Sequence, residues 1–392
     1  MSSTPAATAS AAPAIHPVRA AAGAIATTIA CVLPVFLVGG MAVQMGEELG
    51  FSPFGLGLAV SVYFGVSALG SVPTGALVER YGPARTARAG ILLAAGSLLA
   101  IAGLARSFAA LVALLAVSAG ANALGQLASN TALARHVPPR RQGLSFGVKQ
   151  AAIPVSTLLA GAAVPLIALT AGWRWAFVAA AALTLAALRL VPPADPTAGR
   201  QRSSGGGRIT GPLAVLGVAA MLAAGSANAL GTFLVDSAAA RGLDPGLAGL
   251  TLTFGSAVCI AGRVVGGWLA DQRGGGHVGA IAAMLAAGAA GLGLLALPAT
   301  PALITGVAIG FGLGWAWPGV LNFAVVRLHP HAPAAATSIT QTGVYAGGAI
   351  GPIGLGAVAG HLSYPAMWLI AAASMLAAAA LMLLGGRLIA AR

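Results

Sequence analysis

Acidic side chains are scarce: the 392 residues hold seven Asp and Glu against twenty Lys and Arg, and charged residues of both signs make up only 7%. With 58% hydrophobic residues and a mean hydropathy of +0.92, the chain has too few polar side chains to cover a water-soluble fold, so a soluble globular protein is excluded. Cysteine is nearly missing too. Cys31 and Cys259 both fall inside apolar runs, which excludes a disulfide framework and leaves no ligands for a structural zinc site. The six histidines, His16, His136, His277, His329, His331 and His361, lie in loops or at the ends of apolar runs, which argues against a histidine proton relay through the interior. There is no H-E-x-x-H, no G-x-S-x-G and no in-membrane pair of acids, so an intramembrane enzyme lacks its nucleophile with a base and its metal-ligand set. No cofactor and no metal are expected. The formal charge of +13 does not mark a nucleic-acid partner, because the basic residues sit between apolar runs rather than together on a solvated face.

What the sequence does have is long apolar runs. At about 20 residues per membrane span and about 10 per loop, this length holds roughly 12 or 13 spans. Breaks made of charge, Pro and Gly predict six spans near residues 20–45, 54–77, 86–104, 108–133, 143–168 and 173–190. Six more are predicted near 212–235, 247–270, 277–297, 301–326, 333–360 and 365–384. Residues 1–19 read as a disordered tail, since the apolar run that follows is too long for a signal-peptide core. Residues 20–191 then form one six-helix half, 192–210 a flexible linker rich in Pro, Gly, Ser and Arg, and 211–392 a second half. The expected fold is an all-α membrane protein of twelve transmembrane helices. A separate soluble sensor domain has no stretch of chain to occupy.

The arginines set the expected orientation. With both termini cytoplasmic, inner loops and tails hold Arg19, Arg80, Arg85, Arg88, Arg135, Arg140, Arg141, Arg189, Arg200, Arg202, Arg208, Arg273, Arg327, Arg387 and Arg392, while outer loops hold only Arg106, Arg174 and Arg241. That bias follows the positive-inside rule. The two remaining cations, Lys149 and Arg263, fall inside spans.

The chain also repeats itself. After the second span it reads Gly75-Ala76-Leu77-Val78-Glu79-Arg80-Tyr81-Gly82, with Arg85 beyond; after the eighth it reads Gly267-Trp268-Leu269-Ala270-Asp271-Gln272-Arg273-Gly274. Both are G-x-L-x-acid-x-x-G, offset by 267 − 75 = 192 residues. Gln150-Ala151-Ala152-Ile153 and Gln341-Thr342-Gly343-Val344 repeat at 341 − 150 = 191. Two halves of parallel topology account for both matches.

On these motifs the sequence resembles bacterial transporters of the major facilitator superfamily, over nearly its whole length. The resemblance implies a secondary transporter that rocks two six-helix halves about a midplane site, acts as a monomer in the bacterial plasma or inner membrane, and carries a small molecule. It also implies a latch that ties the halves at their cytoplasmic ends, formed here by Gly75, Glu79, Arg80, Gly82, Arg85, Gly267, Asp271 and Arg273. Glu79 stands where Asp is commoner, and Gln272 where a basic residue is usual. The fifth span carries Gly147, Pro154 and Gly161 but not the dense Gly-Pro-Gly-Gly pattern similar to that of drug/proton antiporters.

Lys149 lies eight residues beyond Arg141, and Arg263 eight before Asp271. At about 1.5 Å per residue each is about 12 Å from the boundary of a core some 30 Å thick, near the midplane. An uncompensated cation there costs on the order of 2.5–3.5 kcal/mol. All seven acids, Glu47, Glu48, Glu79, Asp195, Asp236, Asp244 and Asp271, lie in loops or at span ends, so the expected countercharge is an anionic ligand, and removing either cation is expected to relieve desolvation. The resemblance adds that the cavity between the halves binds substrate, and that an arginine in span eight is similar to that of carriers of monocarboxylates and related organic anions. Tyr63, Asn122, Gln126, Gln150, Thr340, Gln341, Tyr345 and Trp315 with Trp317 are the candidates to complete the pocket; Gly347, Gly348 and Gly351 read as helix-packing positions. A small organic anion is the expected cargo, with a proton-driven exporter of drugs or metabolites as the alternative. A coupling proton, if one is used, needs an outer acid such as Glu47, Glu48 or Asp236, or the substrate's own proton.

Overall fold

The computed structural model describes residues 17–137, 142–193, 211–328 and 333–390. Among them there is no strand, and twelve helical segments are long and apolar enough to cross a membrane. In order they are span 1 (Val18–Gly40), span 2 (Pro53–Ser71), span 3 (Pro83–Leu104), span 4 (Phe108–Leu133), span 5 (Gly147–Ala171) and span 6 (Trp173–Leu190). Span 7 (Gly211–Ala239), span 8 (Pro245–Gln272), span 9 (His277–Leu294), span 10 (Thr300–Leu328), span 11 (Ile339–His361) and span 12 (Tyr364–Ala390) follow. An even number of spans puts both termini at one end of the bundle, here called the termini end. Residues 1–16 of the predicted tail and 194–210 of the predicted linker lie outside the described residues, while residues 17–19, expected to be disordered, already belong to the helix Pro17–Gly40.

Side-chain caps start several spans at the far end, where orphan N–H groups need acceptors. Ser52 Oγ accepts from the Gly55 N–H at 3.4 Å, Ser107 Oγ from Ala110 at 3.2 Å, and Asp244 Oδ1 from Gly246 at 2.8 Å. Pro53 and Pro245 open spans 2 and 8, positions where a missing N–H costs nothing. At the termini end the chain turns from span 2 into span 3 through Gly82, whose φ of +80° disfavours any side chain.

Two of the spans are broken where Pro or Gly interrupts the helical ladder. The helix entering span 5 stops at Gln150, resumes at Ala152, and loosens into a π-turn over Val164–Ala168 that contains Pro165. Span 10 passes through a π-turn at Gly310–Gly314 and three turn residues before Pro318 restarts the helix. Such breaks are tolerated at membrane depth only where other groups take up the freed backbone.

Glycine lets the halves meet closely at the far end. A Cβ on Gly57 of span 2 would run into the Pro352 carbonyl of span 11, and one on Gly356 of span 11 into the Pro53 carbonyl. Gly161 of span 5 abuts the backbone of Gly249 and Thr253 in span 8, and Gly39 of span 1 the Gly231 carbonyl of span 7. The Thr157 and Ser256 hydroxyls join spans 5 and 8 at 2.7 Å. A clasp within the first half adds to this end: Glu48 Oε1 pairs with Arg174 Nη1 at 2.6 Å, and Glu48 Oε2 accepts from Trp173 Nε1 at 2.6 Å. The hydrogen bond from Arg174 holds the Glu48 carboxyl below its ordinary pKa.

The termini end differs. A Cβ added at Gly75 would meet no atom of another element within 4 Å, Arg80, Arg85, Asp271 and Arg273 are exposed, and among the described residues the Glu48–Arg174 pair is the one ion pair. The side chain of Glu79 lies outside the described residues. In this arrangement the halves are therefore closed at the far end, and no described ion pair ties the predicted latch.

Candidate functional site

Between the halves lies a cavity of about 830 Å³. Span 4 lines it with Asn122, Gln126 and Asn130, span 5 with Lys149, Gln150 and Ile153, span 8 with Arg263, span 10 with Trp315, Trp317, Pro318 and Asn322, and span 11 with Gln341 and Tyr345. Asn130 and Asn322 sit about six residues from the termini ends of their helices, so the cavity reaches from mid-bundle toward the termini end while glycine contacts close the other.

Both buried cations are in it. Lys149 is 3% exposed and Arg263 2%; they come from opposite halves, yet Arg263 Nη1 donates to the carbonyl of Gln150, the residue next to Lys149. Lys149 Nζ donates to Gln126 Oε1 at 2.5 Å. Arg263 also donates from Nε and Nη2 to the Trp315 carbonyl, at 3.2 and 2.8 Å, and its guanidinium carbon lies 5.9 Å from the Trp315 ring centroid. Among the described residues no acid lies within 4.0 Å of either cation. Their described partners are neutral groups, carbonyl and amide oxygens and, for Arg263, also the Cys259 side chain, which satisfy donors without cancelling charge.

This changes one expectation. Reading both cations as unpartnered implied that removing either would relieve strain, but Arg263 serves the carbonyls of Gln150 and Trp315 at two helix breaks. Its loss leaves those carbonyls short of a donor, at about 1–3 kcal/mol each. Lys149 leaves behind only one side-chain amide oxygen.

Nine of the eleven residues expected to form the pocket line the cavity: Lys149, Arg263, Asn122, Gln126, Gln150, Gln341, Tyr345, Trp315 and Trp317; Thr340, buried in span 11, is not in its wall. Nor is Tyr63. It is fully buried, and its hydroxyl donates to the Cys31 carbonyl at 2.8 Å, tying span 2 to span 1. Asn122 is partly committed to packing through its Nδ2, which donates to Ser67 Oγ at 3.0 Å, while its Oδ1 has no donor among the described residues. Trp317 Nε1 likewise has no described acceptor; both atoms are buried.

The structure adds Phe36, Phe64, Asn130, Asn228 and Asn322 to the wall. The repeat carried a signal for most of them. Phe36 and Asn228 are 192 residues apart, as are Asn130 and Asn322, so each pair marks equivalent positions of the two halves. A second cavity of about 620 Å³ at the termini end, among spans 1, 3 and 4, includes His136 but, among the described residues, no Lys, Arg, Asp or Glu in its wall.

Twelve spanning helices around a mid-bundle cavity lined by two cations have the architecture of a polytopic membrane carrier. The sequence profile of the Major Facilitator Superfamily matches residues 23–217 and again 216–388, and the chain belongs to that family. A comparison with curated proteins finds no match. The chain is thus a multi-pass secondary transporter.

Proposed function

We propose that the protein moves a small organic anion of the carboxylate type across the bacterial plasma membrane by alternating access, with both termini in the cytoplasm. The single observation that carries this reading is the pair of buried cations, one from each half, in one cavity with no described acid beside them. A carboxylate supplies the missing charge and suits the planar donor fork of Arg263. The apolar wall of Phe36, Phe64, Trp315 and Val344 favours a cargo with a hydrocarbon or aromatic body over inorganic phosphate or sulfate. In this reading the far end is the outer one, and the structure faces the cytoplasm. The latch of Glu79, Arg80, Arg85, Asp271 and Arg273 then closes in the opposite state.

The test is flux into proteoliposomes that hold the purified protein. Uptake or exchange of carboxylates, blocked by excess unlabelled carboxylate, supports the reading. Transport of cationic drugs with no carboxylate flux overturns it in favour of a proton-driven exporter.

A further inference from the structure

Pro154 lies four residues beyond Gln150 in span 5 and has no N–H, so the Gln150 carbonyl is without its helical donor. The ladder is intact on either side: the Ala151 N–H donates to Gly147 at 3.0 Å and the Val155 N–H to Ala151 at 3.1 Å. The one carbonyl that Pro154 frees is the one that Arg263 reaches with Nη1. Its Nε and Nη2 hold the Trp315 carbonyl within its own half. The guanidinium is thus anchored on span 10 by two donors and ties span 5 of the other half with a third. One turn away Gly147 lies against span 8, where an added Cβ would come within 3.3 Å of the Arg263 carbonyl, so the tie sits beside a second approach of spans 5 and 8, less tight than the one at Gly161 and Gly249.

We propose that the Gln150 carbonyl, freed by Pro154, is a built-in competitor for the anion: Arg263 Nη1 holds either this carbonyl or the cargo, and capture of cargo unties span 5 from span 8. This rests on the anion reading above. The Nε–Nη2 edge is spent on the Trp315 carbonyl, so a carboxylate that grips the guanidinium with both oxygens must use the Nη1–Nη2 edge, where the Gln150 carbonyl already holds Nη1, and a carboxylate is the stronger acceptor. The exchange costs one charged hydrogen bond and gains a better one, which keeps binding reversible while it removes a link between the halves. Pro154 is then a positioning residue, because it creates the competitor without touching the cargo.

The experiment places spin labels on the full-length protein at Ala89→Cys in span 3 and Arg387→Cys in span 12, both exposed, while the native Cys31 and Cys259 are fully buried and stay unlabelled. Distances between the halves are measured without ligand for the otherwise unaltered protein, Pro154→Ala, Arg263→Gln and the double variant. Pro154→Ala restores an N–H that recaptures the Gln150 carbonyl, so it should shift the distance distribution as Arg263→Gln does. The double variant should shift it no further, since both changes break the same bond. Benzoate is then titrated into the unaltered protein and Pro154→Ala; with the competitor withdrawn, Pro154→Ala should bind it several-fold more tightly. A Pro154→Ala distribution identical to that of the unaltered protein, or shifts that add in the double variant, overturns the competitor while leaving the anion reading untouched. The predicted distance shifts without benzoate binding to either protein would instead overturn the anion reading.

Discussion

Asn130 and Asn322 stand 192 residues apart in the chain and line the same cavity from opposite halves. Gln150 and Gln341, at 191, do the same, as do Ile153 and Val344. The neutral wall therefore follows the internal symmetry, and the charge does not: the position equivalent to Lys149 is Thr340 at an offset of 191, and that equivalent to Arg263 is Ser71 at 192. Symmetric amides suit a site that must be usable from either face, while in the anion reading proposed here the two cations would give the cargo one preferred orientation. Asn130→Ala and Asn322→Ala should each reduce uptake by a similar factor and leave thermal stability nearly unchanged, because cavity-facing amides carry little packing. Uptake in proteoliposomes together with melting of the purified variants checks this; a loss confined to one of the two would break the symmetry argument.

Closure of the far end depends on Gly57, where any Cβ meets the Pro352 carbonyl. Gly57→Val should disfavour the closed far end and slow transport sharply, while the helices of each half still pack normally. Accessibility of a cysteine placed at Phe54, near the far end of span 2, should rise in this variant. Unchanged accessibility and turnover would show that the close approach is incidental.

The Glu48–Arg174 clasp carries a pH dependence of known sign. Glu48 has a lowered pKa in the folded protein because of Arg174, so the clasp contributes above the ordinary value of 4.5 and is lost as pH falls through the folded value. Half-exposed pairs contribute about 0.2–1 kcal/mol, so Glu48→Gln should lower the melting temperature slightly at pH 7. The difference from the unaltered protein should vanish in acid below the folded pKa. Melting curves of both proteins across this range test it.

Neutralising the latch should uncouple function from folding. Asp271 is exposed and unpaired among the described residues, so Asp271→Asn, alone or with Glu79→Gln, should leave the melting temperature within experimental error. Transport should fall, because the state in which the termini end closes loses its ties. Variants that transport at the unaltered rate would remove the latch from the account.

Much of this architecture was legible because membrane spans obey one rule, about twenty apolar residues bounded by charge, Pro or Gly, and the twelve predicted runs match the twelve spans closely. Lys149 and Arg263 stood out for the same reason: charge inside an apolar run is costly enough to need a purpose. Less legible was what neutral polar groups do. Tyr63 and Asn122 look alike in sequence, both polar and both mid-span, yet the Tyr63 hydroxyl is spent on the Cys31 carbonyl and Asn122 reaches the cavity. Only the rotation of each helix separates those fates, and spans apolar on every side leave no amphipathic stripe from which to read it. The partner of Arg263 was hidden for another reason. A backbone carbonyl freed by Pro154 in a different half is a long-range relation that residue types alone do not display.

The central claim is that Lys149 and Arg263 together hold an anion, and the most direct measurement is equilibrium binding of radiolabelled carboxylates to the unaltered protein, Lys149→Gln, Arg263→Gln and Arg263→Lys. A hydrogen bond to a charged group contributes about 1.5–3 kcal/mol, so each Gln variant should bind roughly 10- to 150-fold more weakly. Arg263→Lys should stay impaired, since a lysine restores charge without the two-donor fork. Lys149→Gln should fold as well as the unaltered protein, which separates weakened binding from misfolding. Both Gln variants binding a carboxylate as tightly as the unaltered protein, or a protein that binds only cations, would contradict the account.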